Sequence, residues 1–280
     1  MAVKIRTKKN KKTRAIKVIS LVLLVIFGTF AIFRYGIQYK HHNVLWLPEY
    51  KMEDISEVIK KDKLSSEDYE LIFKQTGLTK EGTNASSDEQ ILAIQKSFHK
   101  ERSLVPEEFA PFTCCDRVDM FAETVKLEDG DIIVTSATHL SFFELGHAAI
   151  VVDAEKGEIL NAIGYDQKSC IESIEEMTCR PNFVVLRPNL SAEKRKAAAE
   201  YAKKELLDLQ YSVSVGFFGN KYSETPSLTN CGPIIWYAYK KQGIDIDSNG
   251  GPLVMPSDIL KSEHLSVLQI FGIDPRNFKR

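Results

Sequence analysis

Two tryptophans in 280 residues, five cysteines with no C-x-x-C pair among them, and no acid before Glu49 are the scarcities that narrow this chain. Without paired short cysteine spacings a zinc finger or ribbon has no scaffold. Internal repeats and low-complexity tracts are also missing, which excludes a solenoid or a disordered tail. Basic excess is confined to the N-terminus. Nine of the 37 Lys+Arg and none of the 38 Asp+Glu lie in residues 1–34, so residues 35–280 carry 28 basic against 38 acidic side chains. A net-acidic body is a poor match for a phosphate backbone, and nucleic acid is not an expected partner.

What the N-terminus does have is a basic segment, residues 1–17, followed by an apolar run, "VISLVLLVIFGTFAIF", closed by Arg34 and Tyr35. At 1.5 Å per residue the run spans roughly 24 Å, enough for a single membrane crossing if Lys17 and Arg34 snorkel. A cleaved secretory signal shares the basic flank and apolar core, but the run is long and no A-x-A site follows it. The expectation is an uncleaved anchor over residues 18–35, basic end in the cytoplasm and the remainder outside. Residues 36–52 read as a juxtamembrane stalk. Adjacent His41 and His42 belong to that solvated linker, since sequence neighbours seldom face one metal.

Residues 53–110 read as a small helical accessory region. Ser65 caps a helix that ends at Gly77, and Ser87 with Gln90 has capping-box spacing ahead of Ile91, Leu92, Ile94 and Phe98. Their apolar faces need a partner, which the main domain would supply. His99, beside that stripe, reads as a satisfied surface residue. From residue 114 the pattern becomes extended: "GDIIVTS", "HAAIVVD", "EILNAIG" and "FVVLRP" are short, β-branched and bounded by Gly, Asp or Pro. The tight "DAEKGE" turn makes its two strands antiparallel. A helix capped by Ser191 and a second one beginning at Cys231 follow, giving an α+β arrangement.

Cys231 admits three readings: a packing residue, half of a disulfide, or a nucleophile. In "NCGPIIWYAYKKQG" it opens a helix with Pro233 in the first turn, where backbone N–H groups and the helix dipole favour a thiolate and a developing oxyanion. Of the six histidines, His147 combines a strand start, a preceding glycine and a small-residue neighbourhood. Asn161 is polar within the apolar strand "ILNAIG", and its carbonyl can accept the Nδ1 proton of a histidine and fix the tautomer. Cys231, His147 and Asn161 are therefore the candidate nucleophile, base and orienter. Each also has a structural reading when taken alone.

The motifs "DGDIIVT", "GHAAIVVD" with "ILNA", and "NCGPIIWYAYKKQGIDID" with "PSDI" downstream resemble the permuted papain-like amidases of the YiiX/YaeF type, relatives of the NlpC-like cell-wall cysteine hydrolases. The resemblance spans residues 114–275, and the stretch containing "LSSEDYELIFKQTGL" looks like a region preceding this domain in some exported members. It implies a circularly permuted papain-like domain over residues 114–280, a nucleophile at Cys231, a base at His147, amide hydrolysis, and neither metal nor cofactor. Asn161 stands where the family often has an acid, and "CGP" is stiffer than the Ser-rich versions. Tyr211 falls where relatives carry an aromatic near the site and is a candidate oxyanion or substrate contact; a buried core tyrosine is the competing reading.

The expected substrate is a peptide or peptidoglycan-derived amide beside the membrane. The alternatives are an acyl-lipid thiol hydrolase or acyltransferase on the same site, and a catalytically silent module that binds wall or protein. Outside the cytoplasm, Cys170 and Cys179 are spaced to close a short disulfide loop, while adjacent Cys114 and Cys115 fit no scheme. "DIDSNGGPLVMP" starts like a calcium loop at Asp245, Asp247, Asn249 and Gly250, but Pro256 stands where the bidentate glutamate belongs, so a polar turn is expected.

Overall fold

The computed structural model describes residues 2–106, 112–164, 166–215, 221, 223 and 226–279. Helix α1 (Ala2–Asn43) is followed by α2 (Ser56–Ile59), α3 (Ser66–Thr76), α4 (Lys80–Asn84) and α5 (Asp88–His99). Strands β1 (Thr113–Cys115), β2 (Ile132–Thr135), β3 (Thr138–Leu140), β4 (Phe143–Glu144), β5 (His147–Asp153), β6 (Glu158–Asn161) and β7 (Cys170–Ser173) come next. After α6 (Glu175–Thr178) lie β8 (Phe183–Pro188), α7 (Ala192–Glu205), β9 (Gln210–Tyr211), β10 (Leu228–Thr229), α8 (Cys231–Lys240), α9 (Pro256–Leu260) and β11 (Leu265–Phe271). The fold is α+β, with an N-terminal apolar helix.

Its centre is a six-stranded antiparallel sheet ordered β11-β8-β2-β5-β6-β7. Side-chain alternation divides the sheet between two cores. Ala148, Ile150 and Val152 of β5 pack with Ala198 and Ala202 of α7 and Ile234, Ile235 and Ala238 of α8. Ala149 and Val151 point the other way, into a cluster with Ile72, Ile91, Ile94 and Phe98 of α3 and α5. Helices α3 and α5 thus cover the sheet face opposite α8. Gly77, left-handed at φ 74°, ends α3, and its carbonyl accepts from the Ile270 amide of β11. Ser65 caps α3 in a reciprocal capping box with Asp68. Ser87 accepts from the Gln90 amide, while the Gln90 side chain reaches Thr124 instead.

Helix α1 changes character along its length. From Ile16 to Ile32 its apolar side chains are exposed, and the segment Lys12–Asn43 is long and apolar enough to cross a membrane. Ile37 and His41, by contrast, are buried. The helix continues through residues 36–43, where a stalk was expected, because that stretch docks on a second sheet ordered β1-β3-β4. Lys40 pairs with Glu144 at 2.7 Å, and Tyr35 and Tyr39 pack on Phe142. His41 is therefore no solvated linker residue: its Nδ1 lies 2.5 Å from Asp116 Oδ1.

None of the five cysteines forms a disulfide, which corrects the expected Cys170–Cys179 loop. Cys170 sits on β7 while Cys179 is buried after α6. In the calcium-like loop the carboxylates are already engaged, Asp245 by Trp236 Nε1 and Lys240, Asp247 by Lys221. A polar turn held by the chain's own cations results. His99 is half-buried between Tyr50 and Phe98, and burial lowers its pKa.

Candidate active site

The site lies where the N-terminus of α8 meets the first residues of β5. Two glycines make the approach possible. Gly146 takes φ +68°, and a Cβ there would stand 2.9 Å from the Thr135 carbonyl oxygen of β2. A Cβ on Gly232 would stand 1.8 Å from the Val254 carbonyl oxygen, so only glycine lets α8 begin against that segment. At its other end α8 is tied to the sheet by the Tyr239 hydroxyl, which donates to the Gly130 carbonyl.

His147 opens β5 opposite Thr135, and Asn161 closes β6. The two buried side chains meet: His147 Nε2 is 2.6 Å from Asn161 Oδ1. Asn161 Nδ2 in turn donates to Glu172 Oε2 of β7 at 2.7 Å. That second bond fixes the amide so that its oxygen faces the ring, and an oxygen acceptor assigns the proton to Nε2. The expected contact was with Nδ1; the structure instead uses Nε2 and leaves the lone pair on Nδ1, where a base accepts a proton. Glu172 was not foreseen. The signal for it is strand register, since Asn161 pairs with Cys170 and Glu172 is the same-face diagonal neighbour.

The Cys231 thiol lies within hydrogen-bonding reach of the Ala148 amide, one residue beyond His147, and of the amides of Cys231 and Gly232. Those three donors favour a thiolate. Burial opposes them and wins, pushing the thiol up to about 11. Burial also pushes His147 down to about 4 against the hydrogen bond that its ring donates to Asn161. At pH 7 both groups are neutral, and among the described residues no hydrogen bond joins them. Tyr211 arrives from β9, which runs parallel to β10 just before Cys231. Burial and then the neighbouring Cys231 push its phenol up to about 12, so it is a hydroxyl donor at neutral pH.

The structure thus joins His147, Asn161 and Glu172 in one hydrogen-bonded chain and sets Cys231 and Tyr211 at the neighbouring helix terminus. This arrangement is compatible with cysteine-hydrolase chemistry. A cavity of about 260 Å³, lined by Thr135, Ser136, Gly146, Asn182, Met255 and Pro256, adjoins the start of β5. A larger one of about 530 Å³, between residues 47–52 and α5, contains none of these side chains. Metal-ligand side chains converge elsewhere among the described residues, at His41, Cys114 and Asp116.

No protein-family model matches the chain. It is 29% identical over 140 residues to YycO of Bacillus subtilis (strain 168), a stretch that covers 50% of this chain and 54% of YycO, so the chain spans about half the length of that relative. Comparison with the crystal structure of the metalloprotein YiiX from Escherichia coli O157:H7 gives a TM-score of 0.39 at 16% identity, over 51% of this chain and 97% of that one. At that score the overlap is partial, and the chemistry of the site rests on the side-chain geometry above. The chain is thus similar, over about half its length, to YycO and to YiiX.

Proposed function

We propose that the chain is a membrane-tethered, extracytoplasmic thiol hydrolase of permuted papain-like type that cleaves amide bonds, with cell-wall peptide as its substrate. The observation that carries the proposal is the 2.6 Å contact of His147 Nε2 with Asn161 Oδ1 on the strand whose next residue, Ala148, presents its amide to the Cys231 thiol. Nδ1 takes the thiol proton as Sγ bonds to the substrate carbonyl carbon. The carbonyl oxygen becomes an oxyanion, received by the Cys231 amide and the Tyr211 hydroxyl. The C–N bond then breaks, the imidazolium gives its proton to the leaving amine, and water hydrolyses the thioester. The basic N-terminus ahead of a helix long enough to span a bilayer supports an orientation with the domain outside. Such a tether favours wall peptide over a soluble substrate.

Neutral Cys231 and His147 favour one second reading, a silent module that grips peptide without cutting it. Incubating the detergent-solubilised full chain with purified peptidoglycan fragments and analysing the products by mass spectrometry separates the two. Cleavage that disappears in Cys231→Ala supports the hydrolase. Equal binding by wild type and Cys231→Ala with no new amine supports the module and rejects the hydrolase; lipid deacylation instead of peptide cleavage would move the same site to the acyl-chain reading.

A further inference from the structure

From a side-chain cluster outside the catalytic apparatus we infer a divalent transition-metal site, of the kind zinc fills, that fastens the end of α1 to the β1-β3 pair. Asp116 follows β1 and is fully buried. His41 Nδ1, at the end of α1, lies 2.5 Å from its Oδ1, and Cys114 Sγ lies 3.2 Å from the same oxygen. Ligand atoms of these three residues all fall within 4.8 Å of one another. On the carboxylate's other side stands His139 of β3, paired in register with Cys114, its Nε2 3.1 Å from Oδ2.

The tautomer of His139 shows why a cation belongs here. Its Nδ1 faces the Ser141 carbonyl oxygen at 3.1 Å, and a carbonyl only accepts, so Nδ1 carries the proton of the neutral ring. Nε2 then turns a lone pair toward a carboxylate oxygen. Both Asp116 Oδ2 and His139 Nε2 are buried without an aligned hydrogen bond, despite the short separation. Two acceptors so placed need a positive species between them: a second proton on the ring, or a metal. A proton accounts for His139 alone. A metal also accounts for the thiol and the second imidazole that crowd the same carboxylate, since one thiolate, one carboxylate and two imidazoles suit zinc and neutralise its two charges. Arg180 lies close but donates to the Asp116 backbone carbonyl and pairs with Glu176. Asp116 lies 75 positions from His41 in the chain, so metal binding would couple the anchor helix to the domain.

The test uses the full chain in detergent, stripped of metal and titrated with Co²⁺ as a spectroscopic stand-in for zinc. The expected result is one equivalent bound with a thiolate-to-cobalt charge-transfer band, displaced by Zn²⁺ and unchanged in Cys231→Ala and Cys115→Ser. Cys114→Ser should abolish the band, and His41→Ala or His139→Ala should weaken binding by about tenfold or more. Should a variant fail to fold, the melting temperature of Cys231→Ala with and without one equivalent of Zn²⁺ decides, and it is expected to rise. Absence of stoichiometric binding and of any melting shift would leave a protonated His139 as the positive species and overturn the site. A band that survives Cys114→Ser or vanishes in Cys231→Ala would assign the metal to the catalytic thiol and overturn it equally.

Discussion

Asn161 Oδ1 holds His147 Nε2 at 2.6 Å, and the Asn161 amide nitrogen is held by Glu172 at 2.7 Å. An uncharged group therefore orients the imidazole while a carboxylate one step further out orients that group. For the proposed amide hydrolysis, Asn161→Ala should lower kcat by roughly a hundredfold, the typical lower bound for a displaced general base, and change KM little. Asn161→Asp should retain more activity and shift the acid limb of the pH–rate profile upward, because a carboxylate favours the imidazolium. Equal loss in both variants would mean that Asn161 only packs.

The resting state of Cys231 is the second testable point. A helix N-terminus alone would lower the thiol pKa, the direction the sequence suggests, yet burial reverses it to about 11. Alkylation of Cys231, followed by mass spectrometry, should be slow at pH 7 and rise with pH to beyond the free-thiol value of about 8.5. Fast labelling below pH 8, slowed by His147→Ala, would show a standing ion pair and remove the neutral-pair mechanism.

How much of this was legible in the sequence depends on how local each feature is. The extents of β5 and β8, the caps at Ser65, Ser87 and Ser191, and the start of α8 at Cys231 follow from short-range pattern and capping chemistry, and they recur in the fold. β1, β3 and β4 run only two or three residues and pair across a loop, so periodicity has nothing to register. β11 closes the sheet edge against β8 from the far end of the chain. His41 looked solvated because its partner Asp116 lies 75 residues away and becomes its neighbour only when α1 docks on the small sheet. Glu172 was hidden for the same reason. Its role depends on the β6-β7 register, which no short window carries.

Burial of a neutral His147 also makes stability depend on pH. The folded value near 4 lies below the ordinary 6.5, so between these values the unfolded chain binds more protons than the native one. Stability from this residue is complete above pH 6.5 and is lost as pH falls toward 4, to an extent on the order of 3 kcal/mol. Urea midpoints measured from pH 7.5 to 4.5 should therefore fall more steeply in wild type than in His147→Gln. Parallel profiles would show that His147 titrates normally in the fold.

Gly232 offers a test of the helix terminus that leaves every titrating group in place. A Cβ there would lie 1.8 Å from the Val254 carbonyl oxygen and 2.8 Å from its carbon, both backbone atoms that no rotamer change can move aside. Gly232→Ala must therefore push the start of α8 away from the Val254 segment, at a cost of roughly 1–3 kcal/mol typical of overpacking. The displacement carries Cys231 with it and withdraws the thiol from the Ala148 amide. The residue, already of intermediate exposure, then gains solvent, and the burial that raises its pKa is relieved. The expected variant has a lower urea midpoint, faster alkylation of Cys231 at pH 7, and lower kcat, because the thiol gains solvent while losing its register with β5. Lower stability with unchanged labelling and unchanged turnover would mean that the close contact at Gly232 serves the core alone and that the position of Cys231 is set elsewhere.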